Sequence, residues 1–177
     1  MKKYLASVLI GLFLVAGSTK VDGTKKSAPE KYEFKWLKFD QAESLQKESG
    51  KIIILNFYSP FCGWCKRMNT VTYGDSLVQE EIAKGFLPVI IDLRSKDTLR
   101  YKNENYTEGE FASLFGIRGT PTTGFMDTTG TLIVKVPGFV PPEGFIYLLK
   151  YIKGGWYKEL SFEEFYESEK ELEKQRR

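Results

Sequence analysis

Histidine is absent from the 177-residue sequence. Its absence excludes histidine-based general acid–base catalysis, a Ser-His or Cys-His nucleophilic pair and any imidazole metal ligand. Cysteine is scarce: Cys62 and Cys65 stand alone, three positions apart. An exported protein that used disulfides as scaffolding would spread several cysteines to close long loops, so this pair serves chemistry. Charge of one sign is lacking too, since 26 Lys and Arg against 23 Asp and Glu leave only +3. No nucleic-acid partner is expected, because neutralising a phosphate backbone takes a basic excess gathered on one face. Nor does the N-terminal apolar run, 13 residues from Tyr4 to Ala16, reach the ~20 that cross a bilayer as a helix.

That run, preceded by Lys2 and Lys3 and followed by Gly17 and Ser18, has the order of an export signal. Residues 1–18 read as a signal peptide cleaved near Gly17 or Ser18, with a retained anchor as the second reading. Val15-Ala16-Gly17-Ser18 is similar to a lipoprotein lipobox, but Ser18 stands where the lipidated cysteine belongs, so no thioether can form. Cleavage removes two lysines and no acid, leaving 24 basic and 23 acidic residues. The expected location is the periplasm or another extracytoplasmic space. Residues 19–33, rich in Lys, Gly, Thr and Ser, read as a flexible segment. The length suits one folded domain, taken as 34–155, with a helical extension at 156–177.

Within the domain, Phe34, Trp36 and Leu37 suit a short edge strand, and Asp40 suits the cap of a helix running to Ser49 and stopped by Gly50. Ile52 to Tyr58 is apolar on both faces, which reads as a central strand covered by helices. After the cysteines, Met68 and Val71 follow at helical spacing, Leu77 to Lys84 is amphipathic, and Phe86 to Asp92 supplies a second strand. Two strands joined through helices imply a parallel crossover. Arg94 to Thr107 reads as a long polar loop with functional potential, and Glu108 to Phe115 as a helix. Thr122–Asp127 and Thr131–Val136 flank Thr128-Thr129-Gly130 as a hairpin. Phe145, Leu148, Leu149 and Ile152 make one helical stripe, and Ser161 with Glu164 a capping box for a charged C-terminal helix.

The thiolate is the nucleophile of disulfide exchange, and a cysteine opening a helix is stabilised as the anion by unpaired N–H groups and the helix dipole. Cys62, after Ser59, Pro60 and Phe61, is the expected attacking thiol, and Cys65, one turn on, the resolving thiol. Zinc needs four ligands, and no further cysteine or histidine exists; haem attachment needs a histidine where Lys66 stands. Neither a metal nor a separate cofactor is expected.

Phe57-Tyr58-Ser59-Pro60-Phe61-Cys62-Gly63-Trp64-Cys65-Lys66, with Gly116-Ile117-Arg118-Gly119-Thr120-Pro121-Thr122 far downstream, resembles the two signatures of the thioredoxin superfamily. The resemblance runs from Trp36 to Tyr151. It implies an α/β thioredoxin fold, a central mixed sheet flanked by helices, here with the C-terminal helical extension. It also implies a cis bond before Pro121, with the backbone of Thr120 pairing with bound substrate. The Cys-Gly-Trp-Cys pair, Pro137-Gly138-Phe139-Val140-Pro141-Pro142 and Gly154-Gly155-Trp156-Tyr157 are most similar to periplasmic thioredoxins associated with bacterial sulfur oxidation and to thioredoxin-like domains of periplasmic reductases.

Two positions depart from the superfamily pattern. Asn56 stands where cytoplasmic thioredoxins carry a buried aspartate proposed to move the resolving thiol's proton, so a water, another acid or slower exchange must take its place. Gly63-Trp64 replaces Gly-Pro; Trp64 either grips protein substrates or shields the sulfurs. Lys66 and Arg67 either favour the thiolate or are solvated helix-surface charges. The resemblance implies a periplasmic reductase of protein disulfides, re-reduced by a membrane electron donor and acting as a monomer. The alternatives are a disulfide-forming or isomerising enzyme, and a binding module that holds one partner in the groove beside Pro121.

Overall fold

The computed structural model describes residues 35–176. The export signal, the segment 19–33 and Phe34 therefore lie outside the described residues.

Strand β1, Ile52–Tyr58, carries the β-branched run, and Ile53 to Phe57 are all buried. Such a strand needs neighbours on both edges and cover on both faces. It pairs in parallel with β2, Phe86–Asp92, and antiparallel with β5, Thr122–Met126. Strand β6, Leu132–Pro137, closes the order β2-β1-β5-β6. The sheet is mixed, as the fold class requires. Alternate β1 residues feed two cores. Ile53, Leu55 and Phe57 pack with Phe39 and Phe111, while Ile54 packs with Val78, Ile82, Phe145 and Leu149. Each fully buried side chain of this size contributes about 1.5–3 kcal/mol.

Helix α1 is Phe39–Ser49. Its cap is Lys38 rather than Asp40, because the Gln41 side chain accepts the Lys38 N–H at 3.2 Å. Asp40 instead accepts the Arg100 backbone N–H at 3.0 Å. Gly50, at φ 68°, ends the helix and donates to the Gln46 carbonyl. The expected edge strand shrinks to one bridge, Leu37 to Val89. Trp36 turns into the core, its ring 4.8 Å from that of Tyr73, and the chain leaves the sheet edge where α1 begins.

Helix α2, Gly63–Arg67, runs into a π-helical turn, Met68–Thr72, marked by the Tyr73 N–H bonding to the Met68 carbonyl at 3.0 Å. Met68 is buried, but Val71 is exposed and Thr72 takes the inward place, because the wider turn changes the phase. Helix α3, Ser76–Gly85, is capped by Asp75, which accepts from Leu77 and Val78.

The segment expected as a loop at 94–107 contains a hairpin, β3 Thr98–Tyr101 with β4 Glu104–Thr107. Leu99 and Tyr101 point into the core with Phe39 and Phe111. Lys102 and Asn103 make the turn at φ 50° and 69°, the left-handed values that a tight hairpin demands. Helix α4, Glu108–Leu114, follows from a Thr107–Glu110 capping box.

Helix α5, Pro142–Lys153, buries Phe145, Leu148, Leu149 and Ile152. Helix α6, Phe162–Gln175, is opened by the Ser161–Glu164 box and docks through buried Phe165. Tyr151 donates to the Leu160 carbonyl at 2.6 Å and Tyr147 to Glu173 at 2.8 Å, which tie α6 to α5. No described helix is long and apolar enough to cross a membrane.

Candidate active site

Strand β1 delivers the chain to the sheet's C-terminal edge, where Ser59-Pro60-Phe61 turns it and the Cys62 N–H bonds to the Ser59 carbonyl at 3.1 Å. Cys62 is the N-cap of α2, with an extended backbone at φ −95° and ψ 107°. Cys62 and Cys65 are joined as a disulfide, their Cα atoms 5.2 Å apart. The Cys65 N–H points at the Cys62 sulfur, 3.0 Å away. This donor is one of the unpaired groups of a helix start, and it favours negative charge on that sulfur. Cys62 is half-buried, whereas Cys65 is 1% exposed beside buried Met68. A substrate can therefore reach only the first sulfur directly.

The loop between α4 and β5 brings Thr120 and Pro121 to the same place. Their peptide bond is cis, and the Thr120 carbonyl oxygen lies 3.5 Å from the Cys62 sulfur. The loop is held by Thr122 Oγ1 donating to the Gly119 carbonyl and by the Gly138 N–H donating to Pro121. A cavity of about 370 Å³ opens between Trp64, Thr120, Pro121 and Phe139. A second, of about 390 Å³, lies beyond it between Arg118, Pro121, Lys135 and Pro137. Cys62, Cys65, Trp64, Thr120 and Pro121 thus share one face. Lys66 is exposed on α2 and forms no salt bridge among the described residues.

Asn56 is 1% exposed and donates to Asn69 Oδ1 at 2.8 Å, while its own Oδ1 has no hydrogen-bond partner among the described residues. Asn69 sits one turn beyond Cys65 on the same run of helix, so Asn56 lies under the cysteine-bearing segment rather than among the Ile53, Leu55 and Phe57 set. Nearby in the register, Thr123 pairs with Asn56 across the strands, and its hydroxyl meets Tyr73 Oη at 3.1 Å. Burial pushes the Tyr73 phenol far above its ordinary pKa, so it stays neutral.

Four residues on this face had no chemical signal in the sequence. The Arg67 guanidinium stacks over Trp64, 5.4 Å from the ring centroid, and over Phe139 at 5.2 Å; the two rings are 5.8 Å apart. Arg94 stacks over Phe61 at 5.5 Å. Phe139 and Arg94 reach the site from distant segments, so local spacing could not place them. No cluster of three or more metal-ligating acids or cysteines exists among the described residues.

A mixed sheet with helices on both faces, a disulfide at a helix start and a proline loop against it define the thioredoxin class of fold. The family model of the thioredoxin-like domain matches residues 39–153, and the chain belongs to that family. The thiol:disulfide interchange protein DsbD of Yersinia enterocolitica is 27% identical over 155 residues, covering 81% of this chain and 25% of that protein. The chain thus spans about a quarter of the length of that curated relative. A thioredoxin-fold protein from Helicobacter pylori superposes with a TM-score of 0.58 at 21% identity, covering 70% of this chain and 86% of that one. The C-terminal domain of DsbD from Neisseria meningitidis, in its oxidised form, superposes with a TM-score of 0.50 at 19% identity, covering 63% and 89%. These likenesses reach the superfamily and not the narrower resemblance to sulfur-oxidation thioredoxins.

Proposed function

We propose that the chain is an extracytoplasmic thiol:disulfide oxidoreductase that reduces protein disulfides through Cys62 and Cys65. The observation that carries this reading is the unequal pair. One sulfur is reachable and faced by a backbone N–H at 3.0 Å, and its partner is buried one turn on.

In the reduced protein the Cys62 thiolate attacks a substrate disulfide. The Cys62–substrate bond forms as the substrate bond breaks, and the departing sulfur keeps the electron pair and takes a proton from solvent. Cys65, deprotonated, then attacks the Cys62 sulfur. The internal disulfide forms, the mixed disulfide breaks, and the second substrate sulfur leaves as a thiol. Two electrons have passed to the substrate, and the protein is left in the oxidised state described above. An external dithiol donor must reduce it again, for which a membrane electron carrier is the proposed source.

Thr120 and Pro121 form the floor on which an extended substrate lies, with the Thr120 backbone as its pairing edge. Trp64 forms the wall. Asn56, through Asn69, sets the polarity beneath the resolving thiol, and Lys66 adds positive charge on the outer side of α2. One chain supplies both sulfurs and the groove, so a monomer suffices. The extracytoplasmic assignment is supported by the signal-like pattern of residues 1–18.

The test is insulin reduction driven by dithiothreitol, with wild type, Cys62→Ser and Cys65→Ser compared. Wild type should turn over many equivalents, Cys62→Ser none, and Cys65→Ser should accumulate a mixed disulfide. Turnover that stops at one equivalent in wild type overturns the enzyme reading in favour of a binding module. A reduction potential near the −120 mV of strong oxidants of this fold, rather than about −270 mV, reverses the direction.

A further inference from the structure

Two exposed aromatic rings flank the cysteine pair. Phe61 is 82% exposed and Trp64 is 58% exposed, and large apolar surface left in water beside a reactive group marks a contact surface. Each ring carries an arginine on its face: Arg94 over Phe61 and Arg67 over Trp64 and Phe139. A guanidinium that stacks by its flat face keeps its N–H edge free to hold a carboxylate.

Neither edge is occupied. The salt bridges of the described residues all use lysines elsewhere, namely Lys38, Lys47, Lys84, Lys150 and Lys174. The charge around the disulfide is also one-sided. Residues 59–70, 115–124 and 135–141, which build the site, contain Lys66, Arg67, Arg118 and Lys135 and no acid at all, although the chain as a whole is nearly balanced. The carboxylate nearest in sequence to Arg94 is Asp92, and its Oδ1 accepts the Arg94 backbone N–H at 2.9 Å. Lys135 spends one donor on the Phe115 carbonyl at 2.9 Å and is otherwise exposed.

We propose that this face is built for a disulfide-bearing polypeptide segment with acidic side chains on both sides of its reactive cysteine. Apolar atoms next to that cysteine cover Trp64 and Phe61, and the flanking carboxylates take the free edges of Arg67 and Arg94. The same surplus of positive charge steers an acidic segment toward Cys62 before contact and repels a basic one. The inference rests on the disulfide-reductase reading and names the substrate class of that site.

The experiment is a single-turnover reaction of pre-reduced full-length protein with three disulfide-linked peptides, identical except that the residues flanking the reactive cysteine are Glu, Gln or Lys. Uncharged 2-hydroxyethyl disulfide is the fourth probe. The second-order rate constant should fall from the Glu to the Gln to the Lys peptide. A solvent-exposed ion pair contributes up to about fivefold, so the two arginines together should separate the Glu and Gln peptides by about tenfold. Raising the ionic strength from about 0.05 to about 0.5 M should shrink that gap. The Arg67→Gln/Arg94→Gln double variant should lose it while reacting with 2-hydroxyethyl disulfide as wild type does. Arg100→Gln, which removes the same charge from the β3–β4 hairpin, should keep it. Equal rates for the three peptides, or a faster Lys peptide, with 2-hydroxyethyl disulfide reacting normally, overturn the docking proposal alone. Failure of all four disulfides to react overturns the reductase reading, and the proposal with it.

Discussion

Asn56→Asp exchanges a neutral amide for an ionisable acid of almost the same shape at a position 1% exposed. The protein offers that acid one neutral partner, the Asn69 side chain, which now accepts from Asn56 at 2.8 Å and would have to turn its amide to donate. Full burial raises a carboxyl by up to about 3–5 units from about 3.9, and one hydrogen bond returns part of that, so a rise of about 3 units is expected. At 1.36 kcal/mol per unit, the ionised form then costs about 4 kcal/mol of stability. The folded pKa lies above the unfolded one, so the penalty is absent below about pH 4. It grows as pH rises toward about 7 and is constant beyond. Urea unfolding of the oxidised variant and wild type across that range should show their difference opening with pH. In the reduced variant, release of a Cys62 mixed disulfide by Cys65 should gain a new pH dependence near neutrality, while alkylation of Cys62 by iodoacetamide stays as in wild type. A stability difference independent of pH would mean that the acid is solvated. Matching release profiles would remove this position from the proton path of Cys65.

Glu108→Gln should change how stability depends on pH. Burial pushes the Glu108 carboxyl above its ordinary range, against the opposing pull of the Asp92 N–H at 2.6 Å and of Lys38. Its contribution is therefore full below the unfolded pKa and falls as pH rises through the folded one. The glutamine keeps an acceptor for Asp92 and removes that fall, so the variant should gain on wild type between about pH 4 and about pH 7 in urea midpoints; a constant difference would contradict the assignment. Tyr151→Phe deletes the 2.6 Å bond to Leu160 that joins α5 to the entry of α6. It should cost about 1 kcal/mol, or about 3 °C in Tm, by calorimetry; no change would mean that the packing of Phe165 alone holds the extension.

What could be read in advance was local. The β1 run, the α5 stripe, the Gly50 stop and the Ser161–Glu164 box each depend on residues within a few positions of one another. The cysteine pair and the Thr120-Pro121 loop were legible because their residue types are uncommon in that order. The β3–β4 hairpin was hidden because Lys102 and Asn103 adopt positive φ without glycine to advertise it. Asp40 was misplaced as a cap because nothing local showed that Gln41 would reach back to Lys38 and leave the carboxylate to Arg100. The stacking of Arg67 on Phe139 and the Asn56–Asn69 bond join segments that only the folded sheet brings together.

The π-turn after α2 has a consequence for insertions and deletions. By closing a five-residue step from Met68 to Tyr73, it lets Thr72 and Tyr73 both face inward. An α-helical turn advances about 100° per residue, so two adjacent residues diverge too far to share one buried stripe. Removing a single residue from 68–72 would restore four-residue closure and rotate everything downstream by about 100°. The Tyr73 ring would swing away from Trp36, Phe145 and the Thr123 hydroxyl, which it now meets at once. The cysteines, lying upstream, would keep their geometry. A one-residue deletion here would thus unhook the helix layer from the sheet while sparing the disulfide, an indel that no substitution can imitate.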